Sequence, residues 1–232
     1  MAATSFQDEV DFSQAREMMV RIHIEGRGIR NPAILNAFRT VPREHFVDPP
    51  LKSHAYEDAP LSIGWGQTIS QPYVVAWMLE LANPQPTDRL LEIGSGSGYT
   101  AAIASLLVEE VIGIERIPSL MLKATQRLKS LGFERVKIYC ADGSVGWEEG
   151  APYDIIIVSA GTPRVPETLV KQLAPGGRMV LPIGPKEGVQ EMTRITRLGE
   201  ELLKESFGAV RFVPLIGREG YDGGESEGSE GR

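Results

Sequence analysis

The chain has 232 residues, 24 basic and 31 acidic side chains, a formal charge of −7 and a 42% hydrophobic share. That length and apolar content give one sizeable domain and exclude disorder over most of the chain. The acidic balance argues against holding nucleic acid by neutralising many phosphates, and the lone Cys140 excludes an intrachain disulfide or a cysteine metal cluster.

The first residues, MAATSFQDEVDF, lack the basic and apolar regions of a secretory signal. No apolar run reaches the roughly 18 residues of a membrane span. A cytoplasmic protein with no membrane, nucleic-acid or metal partner is expected. Residues 8–40 read helical, with Met18, Met19 and Ile22, then Ile34, Leu35 and Phe38, at helical spacing. Residues 41–66 read as a long Pro-rich loop, which in a compact domain points to function. PYVVAWMLELA is a helix.

From there strands and helices alternate. Strands are expected at 89–93, 111–114, 136–140, 155–158 and 178–182, with helices after the first (TAAIASLLV), the second (118–131) and the fourth (166–173). Such alternation implies an α/β, doubly wound, mostly parallel sheet. The strand-like stretches EMTRITRL, ELLKES and AVRFVPL imply an antiparallel C-terminal hairpin edge. The expected organisation is a single domain over 1–217, with N-terminal helices and a substrate-side loop at 8–66, a cofactor core at 70–217, and a disordered Gly/Ser/Glu tail from Gly220. Cys140 reads as core packing in the third strand.

Gly94, Gly96 and Gly98 follow the first strand, where open α/β sheets bind ligands. The third glycine of a dinucleotide fingerprint is missing, since that position is Tyr99, and no Lys or Arg makes the loop a phosphate cradle. This disfavours a nicotinamide oxidoreductase. Glu92, Glu115 and Asp142 stand at three successive strand ends. Singly they read as a strand-end charge, a helix-start acid and a turn residue; together they suit a cationic ligand bearing ribose and adenine but no phosphate. S-adenosylmethionine meets that description.

The chain resembles the protein-L-isoaspartate O-methyltransferase family over residues 31–217. The resemblance rests on VPREHFVDP, AYEDAPLSIGWGQTISQPY, LLEIGSGSGYTAA, GIER, ADGSVGW, APYDIIIVSAG, LAPGGRMVLPIG and VRFVPL. GQTISQPY is the specific element, because general methyltransferases share only the glycine loop. The resemblance implies a Rossmann-like class I methyltransferase sheet and methyl esterification of L-isoaspartyl carboxylates in damaged peptides and proteins. It implies S-adenosyl-L-methionine as donor and S-adenosyl-L-homocysteine as product; a monomer is expected.

Residue by residue, the resemblance makes Ser70 the active-site serine, with Gly94, Ser95, Gly96 and Gly98 the glycine loop. Glu115 becomes the ribose acid and Asp142-Gly143 the adenine pair, with Glu92, Thr68 and Ile69 also on the cofactor. Ile63, Gly64 and Val213 fall on the substrate side. Ser62, Ser95 and Ala141 depart from common family residues without removing a motif position.

A carboxylate with a pKa of about 4 is already a nucleophile near neutrality and needs no strong base, which fits a chain whose His23, His45 and His54 form no evident triad. Ser70, just before a helix, reads either as an N-cap or, within GQTIS, as the group that positions the substrate. A methyltransferase with another small-molecule or nucleic-acid substrate is the nearest rival. However, Asp48-Pro49-Pro50-Leu51 lies before the glycine loop and not after the fourth strand. A binding module without chemistry is disfavoured by the intact QTIS.

Overall fold

Asp11 opens the first helix by accepting the amides of Ser13 and Gln14, capping α1 (Phe12–Met18). The computed structural model describes residues 11–223. Beyond α1, Met19–Ile24 widens into a π-helical turn, and the extra residue rotates the buried face. Met19, Val20 and Ile24 point inward, while Met18 and Ile22, read with Met19 as helically spaced, are exposed. Helix α2 (Pro32–Thr40), capped by Asn31, buries Ile34, Leu35 and Phe38 as its spacing predicts.

The stretch read as one long loop is more structured. Its first part is short 3₁₀ turns anchored by buried Glu44, which accepts from Arg16 Nη2 at 3.2 Å and from the Tyr56 hydroxyl. Its end is a hairpin, β1 (Leu61–Gly64) and β2 (Gln67–Ile69). Strands this short show no period-2 signal; the clue was the turn, where Gly64, Trp65 and Gly66 all take positive φ. Trp65 is exposed, with Lys123 Nζ 4.8 Å from its ring centroid, so it does not pack into the core.

After α3 (Pro72–Ala82) the chain builds β3 (Arg89–Ile93), α4 (Tyr99–Ala104), β4 (Glu110–Glu115), α5 (Pro118–Ser130), β5 (Val136–Cys140), β6 (Tyr153–Val158), α6 (Glu167–Gln172), β7 (Leu173–Ile183), β8 (Gln190–Leu198) and β9 (Glu201–Val210). The sheet order is β5-β4-β3-β6-β7-β8-β9. The first five are parallel neighbours, and β8 and β9 add the expected antiparallel edge. Strand β7 begins five residues earlier than its apolar run predicts, absorbing APGG, because Leu173 pairs with Tyr153 before a register shift.

Side chains of β3 alternate between two cores: Leu90 packs towards α2, α3 and α4, and Leu91 and Ile93 pack on the other face with Leu169 of α6. Because β4 and β6 flank β3 on opposite sides, the connections leaving its C-terminal end diverge there and open a crevice.

Two further expectations change. Cys140 is exposed at the strand end rather than in the core. The expected tail starts too early, since Tyr221 pairs with Leu215 and its hydroxyl donates to Gly184 O; residues 224–232 lie outside the described residues. Among the described residues no helix is long and apolar enough to cross a membrane.

Candidate active site

The glycine loop leaves β3 with Gly94, Gly96 and Gly98 all at positive φ (81°, 52° and 86°), a conformation that L side chains enter only with strain. The amides of Gly94 and Ser95 donate to Ile114 O, binding the loop to β4. Glu115 completes the turn: Oε2 accepts from Gly96 N and Oε1 from Ile117 N, each at 2.9 Å. Glu115 also lines the hollow beyond the loop, and each of its oxygens keeps acceptor capacity for a second donor such as a ribose hydroxyl. Ile63, from the β1–β2 hairpin, lies against the loop, its Cδ1 3.1 Å from where a Cβ on Gly96 would be.

Glu92 sits below the loop, fully buried. Burial pushes its carboxyl up to about 7 against the pull of the neighbouring Ser95, Ser159 and Thr100 hydroxyls. Its Oε1 accepts from Ser159 Oγ at 3.3 Å, but Oε2 has no partner. Ser95 Oγ and the Tyr99 hydroxyl, also buried, are likewise unpartnered, and all three residues line one small pocket with Thr68, Ser70 and Gly96. Buried polar atoms left unpaired cost free energy unless something pairs them. The buried acid and the Ser95 hydroxyl beside it match the ammonium and carboxylate of an amino-acid moiety.

A second hollow continues past Glu115 to Gly143, Ala160, Leu215 and Ile216, a mostly apolar slot suited to a purine. No side chain is tolerated at Gly143, where a Cβ would stand 2.6 Å from Ile93 Cγ2. Asp142 does not line the slot. Its Oδ1 accepts from Ser144 N and Oγ, and its Oδ2 from Arg218 N at 2.8 Å. Burial pushes Asp142 up, but these bonds outweigh it and hold the carboxyl below its usual range. In this structure it ties the C-terminal segment over the slot.

On the other side of the hairpin lies a cleft of about 670 Å³. Ser70, Tyr73 and Trp77 form one wall, and Phe207, Arg211 and Val213 the other. Thr68 and Ser159 border this cleft and both hollows beside the glycine loop. Val213 is held in place because its carbonyl accepts from Gly161 N at 2.8 Å and its neighbour Phe212 bonds both ways with the buried side chain of Gln190.

The structure therefore gathers Thr68, Ser70, Glu92, Gly94, Ser95, Gly96, Glu115, Gly143 and Val213 about one crevice. Ile69 is mostly buried beside them. Gly98 turns the chain into α4 and packs on Leu128 and Ala124. Ile63 and Gly64 do not line the cleft; Ile63 faces the glycine loop and Gly64 shapes the hairpin turn.

Ser70 is not the cap of α3. Gln71 occupies that position, without a side-chain bond. Sequence reasoning missed Ser159, Gln190 and Arg43. Ser159 carried a usable signal, since it ends β6 at the switch point; Gln190 and Arg43 act on distant backbone and carried none.

A doubly wound sheet with a glycine-loop crevice at its switch point, joined to a larger cleft, is the arrangement of an S-adenosylmethionine-dependent methyltransferase. Residues 14–220 match the family model for protein-L-isoaspartate(D-aspartate) O-methyltransferase. A protein-L-isoaspartate O-methyltransferase from Methanospirillum hungatei is 52% identical over 206 residues, 89% of this chain and 95% of that one. A second from Pelobacter propionicus is 51% identical over 207 residues, covering 89% and 92%.

A solved protein-L-isoaspartate O-methyltransferase superposes with a TM-score of 0.80 at 33% identity, over 88% of this chain and 66% of that longer one. A Plasmodium falciparum structure with the same family description, solved with S-adenosyl-L-homocysteine, gives 0.75 at 27% identity over 87% and 98%. The chain belongs to the protein-L-isoaspartate(D-aspartate) O-methyltransferase family.

Proposed function

We propose that this chain methylates the free carboxylate of L-isoaspartyl residues in damaged peptides and proteins, with Ser70 positioning that carboxylate. The observation that carries the reading is the junction of the peptide-sized cleft with the cofactor-side hollows at Thr68 and Ser159, beside Ser70.

S-adenosylmethionine, the family's donor, supplies an electrophilic methyl group on a sulfonium. Glu92, ionised, would pair with its ammonium, Ser95 would donate to its carboxylate, and Glu115 would take the ribose. Burial pushes the Tyr99 phenol up to about 12, so it stays protonated beside Arg43 throughout the neutral range.

In an isoaspartyl residue the carboxylate is attached directly to Cα, one bond nearer the main chain than in aspartate. To bring that short arm to the junction, the peptide backbone itself must enter the cleft between Ser70 and Val213. The reacting oxygen needs no base. Rate comes from alignment at roughly 3 to 3.5 Å and from removal of water by the apolar walls. The Ser70 hydroxyl has no protein partner among the described residues and is free to donate to the substrate.

One chain carries the whole of this arrangement, which supports a monomer as the working unit. The reading is tested with a synthetic peptide bearing one isoaspartyl residue and methyl-labelled S-adenosylmethionine. Base-labile label on the peptide with equimolar S-adenosylhomocysteine is the expected result, and an unlabelled peptide overturns it.

A further inference from the structure

Arg43 is wholly buried, yet no carboxylate forms an ion pair with it among the described residues. A charge is seldom kept there without a compensating role, because desolvation costs several kcal/mol. Its bonds go to two carbonyls: Nε donates to Ala55 O at 2.7 Å and Nη2 to Ser70 O at 2.8 Å. The guanidinium carbon lies 4.7 Å from the ring centroid of Tyr99, which Phe38 and Phe46 contact edge-on. Nη1 has no partner. Arg43 therefore joins the serine on the substrate side to the tyrosine that ends the glycine loop.

We infer that Arg43 is the positioning residue of the methyl-transfer site, fixing the Ser70 backbone against the cofactor loop and lending a buried positive field to the incoming carboxylate. The inference rests on the reading of Ser70 given above. Its chemistry follows from the charge balance of the step. A carboxylate oxygen bonds to the methyl carbon, the C–S bond breaks with its electron pair going to sulfur, and two opposite charges become a neutral ester and a neutral thioether.

A cation touching the nucleophilic oxygen would hold the electron pair that must form the new bond. In Arg43 the cation stands behind a carbonyl instead. It can orient Ser70 and attract the substrate through space while the oxygen lone pairs stay free. Lysine retains the charge but not the fork that spans two carbonyls, so the two roles separate by substitution.

The test compares Arg43→Lys, Arg43→Gln and Ser70→Ala, with Val41→Ala as a destabilised control from the same buried segment. Readouts are kcat and KM towards an isoaspartyl peptide, calorimetric affinity for S-adenosylhomocysteine, and thermal midpoint. Expected is a kcat/KM order of wild type, Arg43→Lys, Arg43→Gln, with the last on the order of 10²-fold down, the scale of a 1 Å misplacement. KM should rise more in Arg43→Gln than in Arg43→Lys, product affinity should stay within about threefold, and Val41→Ala should keep its kcat/KM.

Arg43 variants with kcat/KM within about threefold of wild type overturn the inference, as does a joint fall of activity and product affinity that merely follows the thermal midpoint. Normal turnover by Ser70→Ala would remove the reading beneath it. An impaired Ser70→Ala beside fully active Arg43 variants would remove the Arg43 inference alone.

Discussion

Glu115 Oε2 accepts the Gly96 amide at 2.9 Å while its other oxygen accepts Ile117 N, so one carboxylate fixes both the glycine loop and the start of α5. Glu115→Gln must turn its amide NH2 towards one of those two N–H groups. The cost is about 1–3 kcal/mol for the donor left unpaired, read by chemical denaturation, together with a measurable fall in S-adenosylhomocysteine affinity. Unchanged stability and affinity would mean the loop is set by other contacts.

Glu92 should make product binding pH-dependent. In the free protein its carboxyl is pushed up to about 7, first by burial, while the ammonium needs the ionised form. Affinity should rise about tenfold per pH unit below 7 and level off above it, with proton release on binding. Calorimetry in buffers of different ionisation enthalpy measures both quantities, and Glu92→Gln should abolish the slope.

The same shift gives a stability effect of opposite sense. A carboxyl raised in the folded state favours folding most below its unfolded value near 4.5, and that contribution is lost as pH rises to about 7. The ligand-free Glu92→Gln variant should therefore have the higher thermal midpoint at pH 8 and bind product more weakly. A lower midpoint at pH 8 would contradict the buried, unpartnered state of Oε2.

Ser70→Ala should cost almost nothing in stability, because Ser70 is not the cap of α3 and only its carbonyl is engaged, by Arg43. An N-cap loss would have cost about 1 kcal/mol. Activity towards an isoaspartyl peptide should nevertheless fall strongly. Parallel melting curves and initial rates decide between these roles.

Gly96→Ala should weaken the cofactor side. At φ 52° an L residue pays about 1–2 kcal/mol, and the new Cβ meets Ile63 Cδ1 at 3.1 Å. Adding Ile63→Ala should relieve the contact but not the backbone strain, so product affinity should recover only in part. Complete recovery would place the whole cost in the contact.

Much of this site was legible in the sequence because it lies where chain-local patterns are strongest. The apolar β3 and β6, the glycine turn and the strand-end acids Glu92 and Glu115 all follow from short-range order. What was hidden depends on contacts between distant segments. Arg43 reaches Ser70 across 27 positions, Gln190 braces Phe212, and Asp142 Oδ2 accepts from the amide of Arg218, 76 residues on. The 61–69 hairpin was missed because strands of four and three residues show no alternation, and the helical spacing of Met18 and Ile22 does not bury them because a π turn breaks the 3.6-residue period.

The most direct measurement is kcat/KM for two synthetic peptides that differ only in one residue, L-isoaspartate in the first and L-aspartate in the second, with S-adenosylmethionine saturating. A cleft that admits the main chain up to Ser70 and Val213 predicts robust methyl transfer to the isoaspartyl peptide and rates near background for its isomer. Equal rates for the two, or transfer to neither, would contradict it.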